Sequence, residues 1–295
     1  MDTFNRALVL GSGGRAGTAW LAGLACGLRG AGIDLGEADL TVGTSAGAIV
    51  GALLAAGQDP GRLADPVRLV DPVRPVDGSR PAGPPPRPGA DPALVAAVFA
   101  VLGEPGLPPE EARRQVGRLV LEHTDPEAEQ ALVAQRATLI GAEHWPERGL
   151  LITGVDAGTG EPVVWGRASG VPLARAVAAS SAFPGFAAPV AIDGRWYIDG
   201  ALRSGTNADL AVGARTLVVL EPMAHTYPRE ALQRELAAVG ARTVVTVGPD
   251  AASVRALGNP ADTTTWGPSY QAGLRQAADT AEQLREAWTA AVDPD

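Results

Sequence analysis

Residues 43 to 47 read Gly-Thr-Ser-Ala-Gly, a serine held between two glycines directly after the apolar run Leu40-Thr-Val42. On a turn from strand to helix, Gly43 and Gly47 permit a tight backbone and leave the Ser45 hydroxyl standing clear of the sheet, ready to act as a nucleophile. The pentapeptide alone decides little, because 37 glycines in 295 residues produce it by chance in roughly one such chain in seven. Acyl transfer from a serine needs two more parts: donors for the tetrahedral oxyanion and a base for the hydroxyl proton.

Donors are available in Gly11-Ser-Gly13-Gly14-Arg-Ala-Gly17, which follows the apolar run Arg6 to Leu10. The bare N–H groups of Gly13 and Gly14 suit an oxyanion, and losing one such donor costs about 100- to 1000-fold in rate. The same glycines admit two rival readings. They could simply allow strand and helix to pack, or Gly11-x-Gly13-x-x-x-Gly17 could approximate a dinucleotide fingerprint. Against the latter, the second strand ends in GTSAG, where a ribose-binding carboxylate would be wanted.

The base is either a histidine or a carboxylate. His123, in LEHTDPEAE, and His144, in AEHWPE, read as solvated surface residues. His225, in EPMAHTYP, follows a strand and alone fits the chain order of a Ser-Asp-His triad. Asp199 is the stronger candidate: it ends a strand, precedes Gly200, and follows apolar residues whose burial would raise a carboxylate toward a useful base. Its competing reading is a plain Asp-Gly turn, the reading preferred for Asp193-Gly194 six residues earlier.

In order, GSGGRAGTAWLAG, GTSAG and DGA resemble the three signature blocks of the patatin-like phospholipase family, lipid acyl hydrolases with a Ser-Asp dyad and no catalytic histidine. RAVAASSAFPGF and TNADLA are similar to its bacterial branch, and recognisable blocks cover most of residues 6 to 57 and 150 to 220. The resemblance implies a three-layer α/β/α fold around a largely parallel sheet. It also implies a serine hydrolase of lipid esters in which Ser45 attacks, Asp199 takes the proton and returns it to the leaving alcohol, and water activated by Asp199 then frees the acyl group. Gly13, Gly14 and Arg15, with the amide of Ala46, would form the oxyanion hole, shaped by Gly11, Gly17, Gly43, Gly47 and Gly200. No metal or organic cofactor is implied. One block departs from the family's GGGxRG loop: Ser12 stands at its first glycine and Ala16 at its basic residue, with Arg15 one place early. That weakens an electrostatic role for Arg15 and leaves the backbone donors intact.

The elements that must position these residues alternate. Strands are predicted at Arg6 to Leu10, Asp39 to Val42 and Thr216 to Leu220, helices at Thr18 to Arg29 and Ala46 to Ala56, and hairpins at 150–165 and 189–198. Further helices are expected at 93–102, 110–122, 172–180, 208–214, 229–239 and 271–292, with Thr206-Asn207 capping the helix at 208–214, and a strand at 243–247. From Asp59 to about Pro92 the repeat DPVRLVDPVRPVD and the run GPPPRPG supply no periodicity, which reads as a surface excursion, either a lid or a solvated insertion. The apolar stretch Ala182 to Val190 could line an acyl-chain groove or pack in the core.

Composition bounds the partners. A formal charge of -9, with all 24 basic side chains arginine, leaves no basic field for nucleic acid or anionic lipid. The 46% apolar share suits one α/β domain over residues 1–295, with a core of Ala, Val and Leu because aromatics make up only 4%. A single cysteine, Cys26, excludes an intrachain disulfide and suits a reducing cytoplasm. The longest apolar run, Gly17 to Leu28, is too short to span a bilayer, so membrane contact is expected to be peripheral at most.

Overall fold

The computed structural model of the chain describes residues 4–65, 91–258 and 264–290. Its strands are β1 (Phe4–Leu10), β2 (Leu40–Gly43), β3 (Gly149–Asp156), β4 (Pro162–Trp165), β5 (Val190–Ile192), β6 (Arg195–Asp199), β7 (Ala214–Leu220) and β8 (Thr243–Val247). The helices are α1 (Gly14–Gly30), α2 (Ala46–Ala55), α3 (Pro92–Leu102), α4 (Pro109–Leu121), α5 (Pro126–Ile140), α6 (Leu173–Ser180), α7 (Arg229–Val239), α8 (Ala251–Leu257) and α9 (Trp266–Ala290).

The strands pair in the order β5-β6-β3-β2-β1-β7-β8, with β4 also on β3. The five from β3 to β8 are mutually parallel, and β4, β5 and β6 join antiparallel. Alternation along β1 and β7 divides the core. Leu8, Leu10, Val218 and Leu220 pack under α1, α2 and α9, while Ala7, Val9, Leu217 and Val219 face α7 and the segment around Ala208. Apolar residues on both sides of each central strand are what a parallel sheet between two helical layers requires. The fold is the three-layer α/β/α arrangement expected.

Small residues let the layers close. At the crossing of α1 and α9, a methyl group on Gly23 would stand 2.0 Å from the Tyr270 carbonyl oxygen, so these backbones touch directly. Cys26 is half-buried and packs against the same core cluster.

Three expectations change. Residues 208–214 form only a short 3-10 turn, Ala208–Ala211, and Asn207 makes no side-chain cap bond to it. Helices α5 and α8 were not foreseen. Of the predicted excursion, Pro60–Ala64 form a 3-10 turn and Pro92 opens α3, while residues 66–90 lie outside the described residues.

Candidate active site

The serine turn is strained in the way a strand-to-helix reversal demands. β2 ends at Gly43, α2 begins at Ala46, and Ser45 between them adopts φ 56° and ψ -113°, a left-handed backbone that costs a side-chain-bearing residue on the order of 1–3 kcal/mol. Contacts on every side hold it there. The Gly47 N–H donates to the Gly11 carbonyl at 3.1 Å and the Thr44 N–H to Leu10 at 3.0 Å, tying the serine turn to the first glycine loop. A Cβ on Gly47 would lie 1.9 Å from the Leu10 carbonyl oxygen, so only glycine permits this approach. The Ser45 N–H donates to Ser180 Oγ at 3.0 Å.

Strand register brings Asp199 to this turn. β2 pairs with β3 as far as Gly43 opposite Ile152, and β6 pairs with β3 from Asp199 opposite Gly154. Because β4 occupies the other edge of β3 at Ile152 to Val155, β2 and β6 share one edge and run toward each other, ending nose to nose on either side of Thr153. The Ser45 hydroxyl then donates to Asp199 Oδ2 at 2.7 Å across 154 positions of sequence. The other carboxylate oxygen, Oδ1, accepts the Ala201 N–H at 2.8 Å, which fixes the orientation of the group.

Asp199 is almost wholly buried, at 1% exposure. Burial disfavours its charged form and raises its pKa from 3.8 to about 7; the bonds from Ala201 and Ser45 and the field of Arg136 pull the other way without cancelling it. A carboxylate so placed is ionised in part at neutral pH and avid for a proton.

Unspent donors lie nearby. Among the described residues the N–H groups of Gly13, Gly14 and Ala46 have no protein acceptor, and they open α1 and α2, whose positive dipole ends favour developing negative charge. Gly14 has φ 57°, which suits glycine. Gly13 and Gly17 are held bare by Pro222, whose Cβ would stand 2.6 and 3.0 Å from added methyl groups. The Arg15 guanidinium lies 5.7 Å over the Trp266 ring, so its side chain is engaged with α9. His225 is exposed on the loop after β7, and Ser45 bonds to the carboxylate instead. His123 and His144 are exposed as expected.

A family model for patatin-like phospholipase matches residues 8–212, a stretch that contains every group just described except Pro222, His225 and Trp266. The chain belongs to the patatin-like phospholipase family. Structural neighbours include VipD from Legionella pneumophila, 12% identical with a TM-score of 0.45 over 94% of this chain and 67% of that one. The type III effector ExoU is 21% identical with a TM-score of 0.38, over 95% of this chain and 53% of its own. The ExoU-SpcU complex of Pseudomonas aeruginosa gives 19%, 0.40, 96% and 52%. The chain thus spans about two thirds of VipD and about half of ExoU. No curated protein matches it. Membership of this patatin-like family makes lipid ester hydrolysis the coarse chemistry of the site.

A buried polar layer behind the patatin-like motifs was not anticipated. Asn207, left-handed at φ 55°, donates through Nδ2 to Thr44 Oγ1 at 3.0 Å and to the Ser204 carbonyl at 2.9 Å. Thr153 Oγ1 donates to Thr44 Oγ1 at 3.0 Å, so one network grips the residue before Ser45, the strand between the two chain ends, and the turn after Asp199. An asparagine in the TNADLA block pointed toward this segment, but no local pattern distinguishes a network asparagine from a helix cap. Arg136, which biases Asp199 electrostatically and donates to Ser181 Oγ at 2.7 Å, comes from the unforeseen α5.

Proposed function

We propose that the protein is a serine acyl hydrolase that cleaves carboxylic esters of lipids through a Ser45–Asp199 dyad, with Gly13, Gly14 and Ala46 supplying oxyanion donors. The observation that carries this reading is the 2.7 Å bond from Ser45 Oγ to Asp199 Oδ2 in a buried setting.

As Ser45 Oγ bonds to the ester carbonyl carbon, its proton passes to Asp199 Oδ2 and the carbonyl electron pair moves onto oxygen. The free N–H groups at the starts of α1 and α2 receive that oxyanion. Collapse breaks the ester C–O bond, the leaving alkoxide takes the proton from Asp199, and Ser45 is left acylated. A water molecule then gives a proton to Asp199 and attacks the acyl carbon; the second collapse returns that proton to Ser45 Oγ and releases the fatty acid. The Arg15 backbone lies in the same first turn of α1, and its contribution in this scheme is that of the main chain. No step calls for a metal or organic cofactor.

The exposed setting of His225 speaks against a triad, and the absence of an acidic residue in Gly43-Thr-Ser-Ala-Gly47 speaks against dinucleotide binding. Glycine loop, nucleophile turn and carboxylate draw on β1, β2 and β6, which supports a single catalytic domain with the 59–92 segment as an insertion in it. No described helix is long and apolar enough to cross a membrane, and one cysteine fits a cytoplasmic setting.

Treatment with a fluorophosphonate followed by peptide mass spectrometry tests activation and position together. One adduct is expected, on the peptide carrying Ser45, and Ser45→Ala abolishes it. An adduct elsewhere, or none on the folded wild-type protein, overturns the reading.

A further inference from the structure

Helix α3 is built of Pro, Ala, Leu, Val and Phe alone, with no polar side chain from Pro92 to Leu102. Only Leu94 and Val98 are buried, whereas Phe99 is 53% exposed, the most of any large apolar side chain described, and Leu102 is 38% exposed. Soluble surfaces carry single apolar residues freely, but an eleven-residue element with no polar side chain and one face turned outward marks a contact surface.

The position of α3 points to its partner. Its buried residues Leu94 and Val98 share one core cluster with Val116 and Val120 of α4 and with Ile198 and Leu202, which flank Asp199-Gly200-Ala201. Phe99 stacks on Phe183 at 5.9 Å, and Phe183 meets Phe186 at 6.0 Å, so three of the four phenylalanines of the chain gather here. That aromatic row continues from Ala182, whose carbonyl accepts the Asp199 N–H at 3.2 Å. The exposed Phe99 is thus linked to the backbone of the candidate catalytic Asp199 through Phe183 and its neighbour Ala182. Charge narrows the partner further: no arginine occurs between residues 91 and 112, while Asp91, Glu104, Glu110 and Glu111 do. The arginines that follow on α4 are engaged, Arg113 with the Gly160 carbonyl and Arg114 and Arg118 with Glu111, so among the described residues this face offers an anionic surface no net positive charge.

We propose that the exposed face of α3, with Phe99 at its centre, docks the enzyme onto an uncharged or zwitterionic lipid surface, delivering esters to Ser45 from the aggregate. This rests on the lipid-hydrolase reading above, and it adds the physical state and charge of the substrate. Interfacial binding of this kind scales with the apolar area set into the headgroup boundary.

The test is flotation with phosphatidylcholine vesicles, using the Ser45→Ala background so that the lipid is not consumed. The S45A protein is expected to float. Ala100→Asp places a charge on the exposed stripe without removing a packing contact, and is expected to cut the vesicle-bound to free ratio about tenfold. Ala96→Asp should do the same, while Val244→Asp, at an exposed apolar site on β8, should not. Replacing part of the phosphatidylcholine by phosphatidylserine should weaken binding. In the active enzyme, A100D should slow cleavage of vesicle-packed ester and spare a short soluble ester, which also shows that the variant folds. Equal flotation of S45A with and without A100D, an equal loss with V244D, or a lipid-free dimer that A100D dissolves would overturn the docking proposal. Normal flotation by a protein that cleaves no ester would instead sink the hydrolase reading alone.

Discussion

Two Asp-Gly pairs lie six residues apart on one hairpin, and they have opposite fates. Asp193 and Gly194 join β5 to β6 with φ 49° and 77°, both positive as a type I′ turn requires, and both are exposed. Asp199 and Gly200 end β6 in the interior, where Asp199 has an ordinary φ of -52° and bonds to Ser45. In the first pair the glycine is needed for its backbone angle. In the second it is needed for space, because a methyl group on Gly200 would stand 2.2 Å from Thr153 Oγ1. The dipeptide carries no function of its own; burial and the strand that ends opposite it supply one.

Exchanging the carboxylates for amides breaks the comparison most strongly. Asp199→Asn keeps the shape and removes the proton acceptor, so kcat/KM on a short chromogenic ester should fall about 100- to 10,000-fold. Asp193→Asn should leave the rate unchanged, as should His225→Ala. A loss with H225A equal to that of D199N would return the triad to contention.

Acidity should separate the pairs next. Between pH 4 and 7 the native state holds a proton on Asp199 that the unfolded chain has released, so stability falls as pH rises through that window and levels above it. A rise from 3.8 to about 7 corresponds to a loss of about 4 kcal/mol. Urea titrations at pH 4.5 and 8 should show this decline in the wild type and in Asp193→Asn, and a shallower one in Asp199→Asn. Activity runs the opposite way, since the base must be ionised: kcat/KM should climb with a midpoint near pH 7. A wild type equally stable at both pH values, with an activity midpoint near 4, would place Asp199 in water.

What the sequence made legible follows the range of the forces involved. Ser45, Gly47 and the hairpin at Asp193 rest on local geometry, a short apolar run meeting a glycine turn, and all were readable. The meeting of Ser45 with Asp199 depends on β2 and β6 sharing an edge of β3, a long-range pairing that only the order of the family blocks suggested. Helix α5 escaped because its apolar residues do not form one stripe, and its buried Glu129 is satisfied by Arg175 at 2.5 Å. Its cap was visible: Asp125 accepts the Glu127 and Ala128 N–H groups and Pro126 opens the first turn. Asn207 was read as a cap for the same reason in reverse, since a polar residue before an alternating run looks alike whether it faces a helix or a network.

The smallest effects come from the glycines, and they sharpen the distinction between angle and space. Gly194→Ala meets nothing within 4 Å, so its cost is the positive φ alone, about 1 kcal/mol. Gly200→Ala has no such penalty but presses on Thr153, whose backbone carbon and oxygen also lie 2.8 Å from the added methyl group. A flexible side chain could turn away; a central strand cannot, so about 1–3 kcal/mol is expected. The two variants also differ in kind. Displacing Thr153 disturbs its bond to Thr44 and with it the turn that carries Ser45, so Gly200→Ala should lower kcat as well as the urea midpoint, whereas Gly194→Ala should lower the midpoint alone. If both variants lost stability and neither lost activity, the Thr153 contact would be packing only, and the nose-to-nose ends of β2 and β6 would tolerate more slack than a 2.7 Å hydrogen bond suggests.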